Sequence, residues 1–256
     1  MSKLESWWKI TFGNTYLAAW DFIYSERRTK KEIQFILKNL PLKKEAEILD
    51  IPCGQGRHSI GLAQHGFQVT GVDYSSILLK AAKERAKKAG TNLIFIKGDI
   101  RSIKYRKRFD AVINLGNSFG YFNDEDNERV IKNFAGSLKQ DGFLVLDLPN
   151  TTGILRHITK AKKRQVRIPK GHITTEEIAF NPCTLTSQLK WTIVQNNKKK
   201  VLRGQLRFYV FSEIKNLLIK HGFRIQKIYG SFDNEKYDIE SPRMLIIAKK
   251  YEEPHL

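Results

Sequence analysis

Ile48-Leu49-Asp50-Ile51-Pro52-Cys53-Gly54-Gln55-Gly56 is the stretch from which the fold is read. A short apolar run ending in an acid, a loop with two glycines and a helical pattern from about residue 57 to 65 make a strand, a turn and a helix. That arrangement suits an adenosine-type ligand. Glycine lets the backbone approach closely, and the first turn of the helix has N–H groups with no partner inside it. By itself the loop is ambiguous, because dinucleotide enzymes carry a similar one. Two details count against a dinucleotide. The third position of Gly-x-Gly-x-x-Gly is Ser59, and Asp50 stands where it can meet a ligand ammonium, a group a dinucleotide lacks. Asp73, which ends the next apolar run, is placed to accept the two hydroxyls of a ribose, a need both ligand types share.

Outward from the loop, short β-rich runs alternate with helical patterns, which predicts a parallel sheet with crossover helices. Strands are expected over 47–52, 68–73, 93–97, 109–115 and 142–148. Helices are expected over about 76–89, capped by Ser75 or Ser76 and stopped by Gly90, and over 124–138, where Val130, Ile131, Phe134 and Leu138 share a face. After Pro149 the texture changes. Residues 173–180, 184–195 and 201–209 alternate polar and apolar positions around the turns Asn181-Pro182 and Asn196-Asn197, as three antiparallel strands would. A helix over 212–221 and a closing antiparallel pair, 223–229 and 244–249, complete the chain.

These residues resemble the class I S-adenosylmethionine-dependent methyltransferases, in particular a small-molecule subgroup with an antiparallel β insert after strand five. The resemblance covers residues 47–150 and resumes over 211–250. It implies an α/β fold: a Rossmann-like seven-stranded sheet with its last strand antiparallel and helices on both faces, plus an inserted three-stranded antiparallel sheet. The implied division is an N-terminal helical lid over 1–45, a methyltransferase core over 46–150 and 210–256, and a basic insert over 151–209. The implied cofactor is S-adenosyl-L-methionine, leaving as S-adenosyl-L-homocysteine, with no metal. The family's glycine motif falls on Asp50, Gly54 and Gly56, with Pro52 where Gly or Ala is commoner. Its ribose acid falls on Asp73, with Tyr74 beside the adenine. Asp99 by side chain and Ile100 by backbone match the adenine-amino site, and Leu115 after strand four matches the wall beneath the sulfonium. Arg57 either contacts the methionine carboxylate or solvates the helix start.

For the acceptor, Asn117-Ser118-Phe119-Gly120-Tyr121-Phe122 follows strand four, where the resemblance places the substrate mouth. Asn117 and Tyr121 are candidates to orient an amine or hydroxyl, while the two Phe residues equally suit packing of the next helix. Asn114 stands where metal-assisted relatives want a carboxylate. Neither Cys53 nor Cys183 is placed as a nucleophile. His58 reads either as a general base or as an exposed residue at a helix start, so no catalytic residue is assigned. Trp8, Phe12, Tyr16 and Trp20, four apart, form an aromatic helical stripe. As a lid, it would bring Tyr16 to either ligand.

The net charge of +19 is concentrated, since residues 151–209 hold thirteen Lys and Arg against two Glu. The segment reads as the cover of a small-molecule site, as a homodimer contact, as a grip for RNA that includes the run 160–164, or as solvated sheet edge. The expectation is a methyltransferase of the cytoplasm acting on a small amine, hydroxyl or carboxyl acceptor. An RNA methyltransferase and a non-catalytic binding protein are the alternatives. No run is apolar enough for a membrane span or a signal peptide, and two cysteines set out no disulfide framework.

Overall fold

The computed structural model describes residues 6–20, 24–157, 162–168, 172–195 and 198–251. Helices α1 (Trp7–Thr11), α2 (Asn14–Trp20) and α3 (Glu26–Asn39) precede β1 (Glu47–Asp50). The chain continues through α4 (Arg57–Gln64), β2 (Gln68–Asp73), α5 (Ser76–Lys88), β3 (Ile94–Lys97), β4 (Phe109–Asn114), α6 (Asp124–Ser137), β5 (Leu138–Pro149) and α7 (Thr151–His157). Four strands follow: β6 (Lys162–Ile168), β7 (His172–Asn181), β8 (Thr186–Gln195) and β9 (Lys198–Arg207). Helix α8 (Phe211–Lys220), β10 (Phe223–Tyr229) and β11 (Arg243–Lys250) complete it.

Seven strands form the main sheet in the order β10-β11-β5-β4-β1-β2-β3. The pairs from β5 to β3 are parallel, and β11 runs antiparallel between β5 and β10. The chain moves outward from β1 to β3, then returns to place β4 on the other flank of β1. That reversal opens a crevice at the carboxyl ends of β1 and β4. Register levels those ends, with Asp50 opposite both Gly71 and Ile113.

Alternation along each strand sends residues to two cores. Leu49 and Ile51 join Val130, Ile131, Phe134 and Leu218 on the α6/α8 face. Ile48 joins Ile33, Phe35, Ile36 and Leu62 on the α3/α4 face. Helix starts follow local chemistry. Ser75 accepts the Leu78 N–H at 3.2 Å, and Asn123 accepts that of Asp126 at 2.8 Å ahead of three acids in the first turn of α6.

The seven-stranded sheet and its antiparallel last strand are as expected; three features differ. The second sheet has four strands, β6-β7-β8-β9, not three, because the basic run preceding the expected strands pairs with β7 from Lys162↔Ile178 to Ile168↔His172. Lys-rich strands lack the apolar alternation by which strands are recognised. The aromatic stripe is two helices: α1 closes at Phe12, and the Gly13 N–H turns back to the Thr11 carbonyl at 2.9 Å. The lid drawn over 1–45 is narrower as well, since α3 is a core helix and only the segment before it roofs the crevice. Residues 160–161 and 196–197 lie outside the described residues, as do the side chains of Trp20 and 162–164.

The second sheet is tied down near the crevice. Arg207 donates its N–H to the Gly120 carbonyl at 2.8 Å, Thr11 Oγ1 donates to the Arg203 carbonyl at 2.6 Å, and Ala19 packs on Ile193 and Leu202. Among the described residues no helix is long and apolar enough to cross a membrane.

Candidate active site

A cleft of about 970 Å³, counting its open mouth, lies over the carboxyl ends of β1, β2 and β4 and under α1 and α2. Its floor is the turn after β1, where the Ile51–Pro52 peptide is cis. Gly54 holds φ +55°, and a Cβ there would meet nothing within 4 Å. Gly56, at φ +78°, serves packing instead: a Cβ would stand 2.9 Å from Ala82 Cβ and 3.0 Å from Phe95 Cζ. The loop's two glycines thus divide the work, one left open toward the cleft and one seating α4 against α5 and β3.

Asp73 lines the cleft, with Oδ2 accepting the Gly54 N–H and Oδ1 that of Ser75, both at 2.8 Å. Burial raises its pKa, the two N–H groups and that of Tyr74 restrain the rise, and nearby Asp50 adds to it; the result is about 6. That leaves lone-pair capacity on the carboxylate for a ligand hydroxyl. Tyr74 also lines the cleft, with Trp8 edge-on at 4.6 Å. Asp99, Ile100 and Leu115 line it too. Asp99 is largely engaged, since Arg101 reaches it through backbone N (2.9 Å), Nε (3.0 Å) and Nη2 (2.6 Å). That leaves one lone-pair direction on Oδ2 for an adenine amino group.

Asp50 takes a different place from the one expected of it. It is 1% exposed, does not line the cleft, and accepts a 2.6 Å bond from Ser59 Oγ. It therefore pins the first turn of α4 beneath the loop. Asn117 also turns away: at φ +57° its Oδ1 accepts from Arg243, which grips the buried Asp147 at 2.6 and 2.7 Å. Of the two Phe residues, Phe119 packs on Tyr209 while Phe122 lines the cleft.

Arg57 and His58 both line the cleft, and both are bound to Glu32 of α3, with His58 Nε2 at 2.7 Å. His58 is 6% exposed, so its reading as a solvated helix-start residue is overturned by a carboxylate that sequence spacing did not place near it. The Cys53 thiol, pushed well up by burial and by Asp50 and Asp73, stays protonated and is no nucleophile.

Tyr16 and Tyr121, expected at the substrate mouth, come together with Tyr24 at the roof. The hydroxyls of Tyr16 and Tyr24 lie 3.2 Å apart, and Phe12 packs on both Tyr16 (4.9 Å) and Tyr121 (5.6 Å). Burial and their mutual proximity raise the pKa values of Tyr16 and Tyr121 far above the ordinary phenol value. Tyr24, Glu32, Gln55 and Arg101 were not singled out from sequence. For Glu32 there was a signal, an acid on the apolar stripe of α3 beside Ile33 and four before Ile36. For the other three there was none.

Residues 48–142 match the family described as a methyltransferase domain. Over that stretch the chain reads as a methyltransferase domain. A glycine/sarcosine N-methyltransferase of Halorhodospira halochloris is 36% identical over 140 residues, 54% of this chain and 52% of that protein. A putative methyltransferase of Bacillus subtilis is 23% identical over 92% of this chain and 96% of its own. A methyltransferase structure from Streptomyces caelestis superposes with a TM-score of 0.80 at 16% identity, over 94% of this chain and 98% of its own, which speaks to fold. The chain spans about half the length of the glycine/sarcosine relatives it matches.

S-adenosylmethionine is the cofactor of this methyltransferase class, and the cleft fits it. The open space at Gly54 admits a close ligand, Asp73 presents two acceptors, and Gln55 Nε2 is a buried donor with no partner among the described residues. An orphaned buried donor beside a cleft marks a place for a ligand oxygen.

Proposed function

We propose that the chain moves a methyl group to a small-molecule amine. The observation that carries this reading is the roof of Tyr16, Tyr24 and Tyr121, three phenols gathered beside the cofactor loop. With Tyr16 and Tyr121 titrating far above neutrality, they act as hydrogen-bond partners and not as bases. A neutral amine brings its own lone pair and needs no base before attack, whereas a hydroxyl does. The N-methyltransferase names of the glycine/sarcosine relatives support the same reading.

In this reading Asp73, Asp99 and Ile100 hold the nucleoside, with Tyr74 against its base and Leu115 beneath the reacting centre. When bound, S-adenosylmethionine supplies a methyl already activated on a sulfonium. The phenol oxygens accept the amine N–H bonds, so the nitrogen lone pair faces the methyl, and the aromatic rings favour the ammonium that results. Trp8 and Phe12 keep water from the centre. Lys190 pairs with Glu177, Lys200 donates to Thr15, and Arg207 binds Asp124 and Glu213. Neither an RNA partner nor a homodimer gains support from the relatives.

The test is transfer of labelled methyl to a cell extract fractionated into RNA, protein and small amines, with glycine, sarcosine and an amino sugar assayed singly. Label in the amine fraction is expected. Label confined to RNA or protein would sink the reading, and cofactor binding without turnover would return the chain to a non-catalytic role.

A further inference from the structure

A buried charge cluster behind the cofactor loop has no part in holding the nucleoside or the amine. At its centre is Glu32, 2% exposed, on a helix outside the stretch that matches the methyltransferase family. Its Oε1 accepts Arg28 Nε at 2.9 Å, and its Oε2 accepts Arg57 Nη1 and lies 2.7 Å from His58 Nε2. Burial alone would raise the Glu32 pKa, yet His58 and Arg57 hold it well below the usual carboxylate range. The same Arg57 nitrogen donates to Thr29 Oγ1 at 3.2 Å, and the guanidinium lies 4.8 Å from the centre of the Tyr24 ring. Three residues from the N-terminal segment thus fix one arginine whose side chain, 11% exposed, forms part of the cleft wall.

Two further facts say what that arginine is held for. Glu32 holds two permanent cations, Arg28 and Arg57, and of these Arg57 forms part of the cleft wall. Gln55, 7% exposed and lining the same cleft two residues before Arg57, has an Nε2 with no partner among the described residues. A buried N–H donor left without an acceptor is destabilising, and a ligand oxygen would satisfy it.

We infer that Glu32 is a positioning residue, holding Arg57 so that Arg57 and the Gln55 amide together seat the carboxylate of the cofactor's amino-acid tail. This rests on S-adenosylmethionine being the ligand of the cleft. It adds that the tail is recognised through a helix outside the matched domain and by a side chain that touches no ligand itself.

Two ligands with the same nucleoside separate this from a merely structural role: S-adenosylhomocysteine, which has the amino-acid tail, and 5′-methylthioadenosine, which lacks it. Calorimetry with Glu32→Gln is expected to show S-adenosylhomocysteine binding about tenfold to a hundredfold more weakly, the size of one or two charged hydrogen bonds. Methylthioadenosine should stay within about twofold. Gln55→Leu should show the same selectivity with a smaller loss. Should Glu32→Gln fail to fold, Glu32→Asp, which keeps the charge and shortens the reach, carries the same comparison. Equal loss of both ligands, or no loss of S-adenosylhomocysteine, overturns the inference and leaves the methyltransferase reading standing. A wild-type protein that binds neither ligand overturns both.

Discussion

Asp73 is the residue on which the cofactor reading depends most, and its chemistry can be checked by pH. Its pKa of about 6 in the fold lies above the unfolded value of 3.8. Ionising it therefore destabilises the unliganded protein as pH rises from about 4 through about 6, by about 3 kcal/mol in all. Ribose hydroxyls donate to the ionised form, so a ligand should relieve that cost. Affinity for S-adenosylhomocysteine is expected to fall as pH drops below about 6, and Asp73→Asn should bind weakly with no such dependence. Calorimetry from about pH 5 to about pH 8 measures this; a flat wild-type profile would move the ribose site elsewhere. At the adenine end, Arg101 sits 5.1 Å from the centre of the Trp8 ring and 4.5 Å from that of Phe122 while holding Asp99 and Asp126. Arg101→Ala is expected to weaken methylthioadenosine and S-adenosylhomocysteine alike, by about tenfold, because it loosens the nucleoside wall and not the tail.

Among the elements, the crossing of β9 over the loop after β4 is a tight joint near the site. Gly120 holds φ +97°, and a Cβ there would overlap the Arg207 carbonyl oxygen. Gly120→Ala is expected to cost about 3 kcal/mol through strain and overpacking, read as a lowered urea midpoint with unchanged slope. A loss under about 0.5 kcal/mol would mean that the joint yields freely. The α1 contact is subtler. Thr11, 2% exposed, donates to the Arg203 carbonyl, and Thr11→Val should cost about 1–2 kcal/mol. The expectation of one aromatic helix missed the break between α1 and α2 because a four-residue spacing persists through it. What ends α1 is a pair of contacts, the Gly13 N–H to Thr11 and the Phe12 carbonyl accepting Ser75 Oγ at 2.6 Å, and the second joins residues 63 apart.

For the whole molecule, the roof and the sheet separate cleanly. Neither large core cluster draws a residue from α1 or α2. Removing residues 1–24 is therefore expected to leave far-ultraviolet dichroism and cooperative unfolding largely intact. S-adenosylhomocysteine affinity should fall by at least about tenfold, since Trp8, Phe12, Tyr16 and Tyr24 all leave the cleft. A chain that fails to fold without them would show that the roof is part of the core.

From sequence alone followed the seven strands of the main sheet, its antiparallel close, and the placing of Gly54, Asp73, Tyr74, Asp99, Ile100 and Leu115 around one cleft. Those features are local. Strand and helix periods record which face is buried, and a glycine loop between a strand and a helix records where a ligand comes close. Tertiary structure decided the rest: that Asp50 faces Ser59, that Asn117 faces Arg243, that Tyr24 completes the phenol roof, and that Arg57 and His58 converge on Glu32. Periodicity states that a polar group is buried but not which distant segment supplies its partner. In this protein the partners of Arg57, His58 and Asn117 lie 25, 26 and 126 residues away.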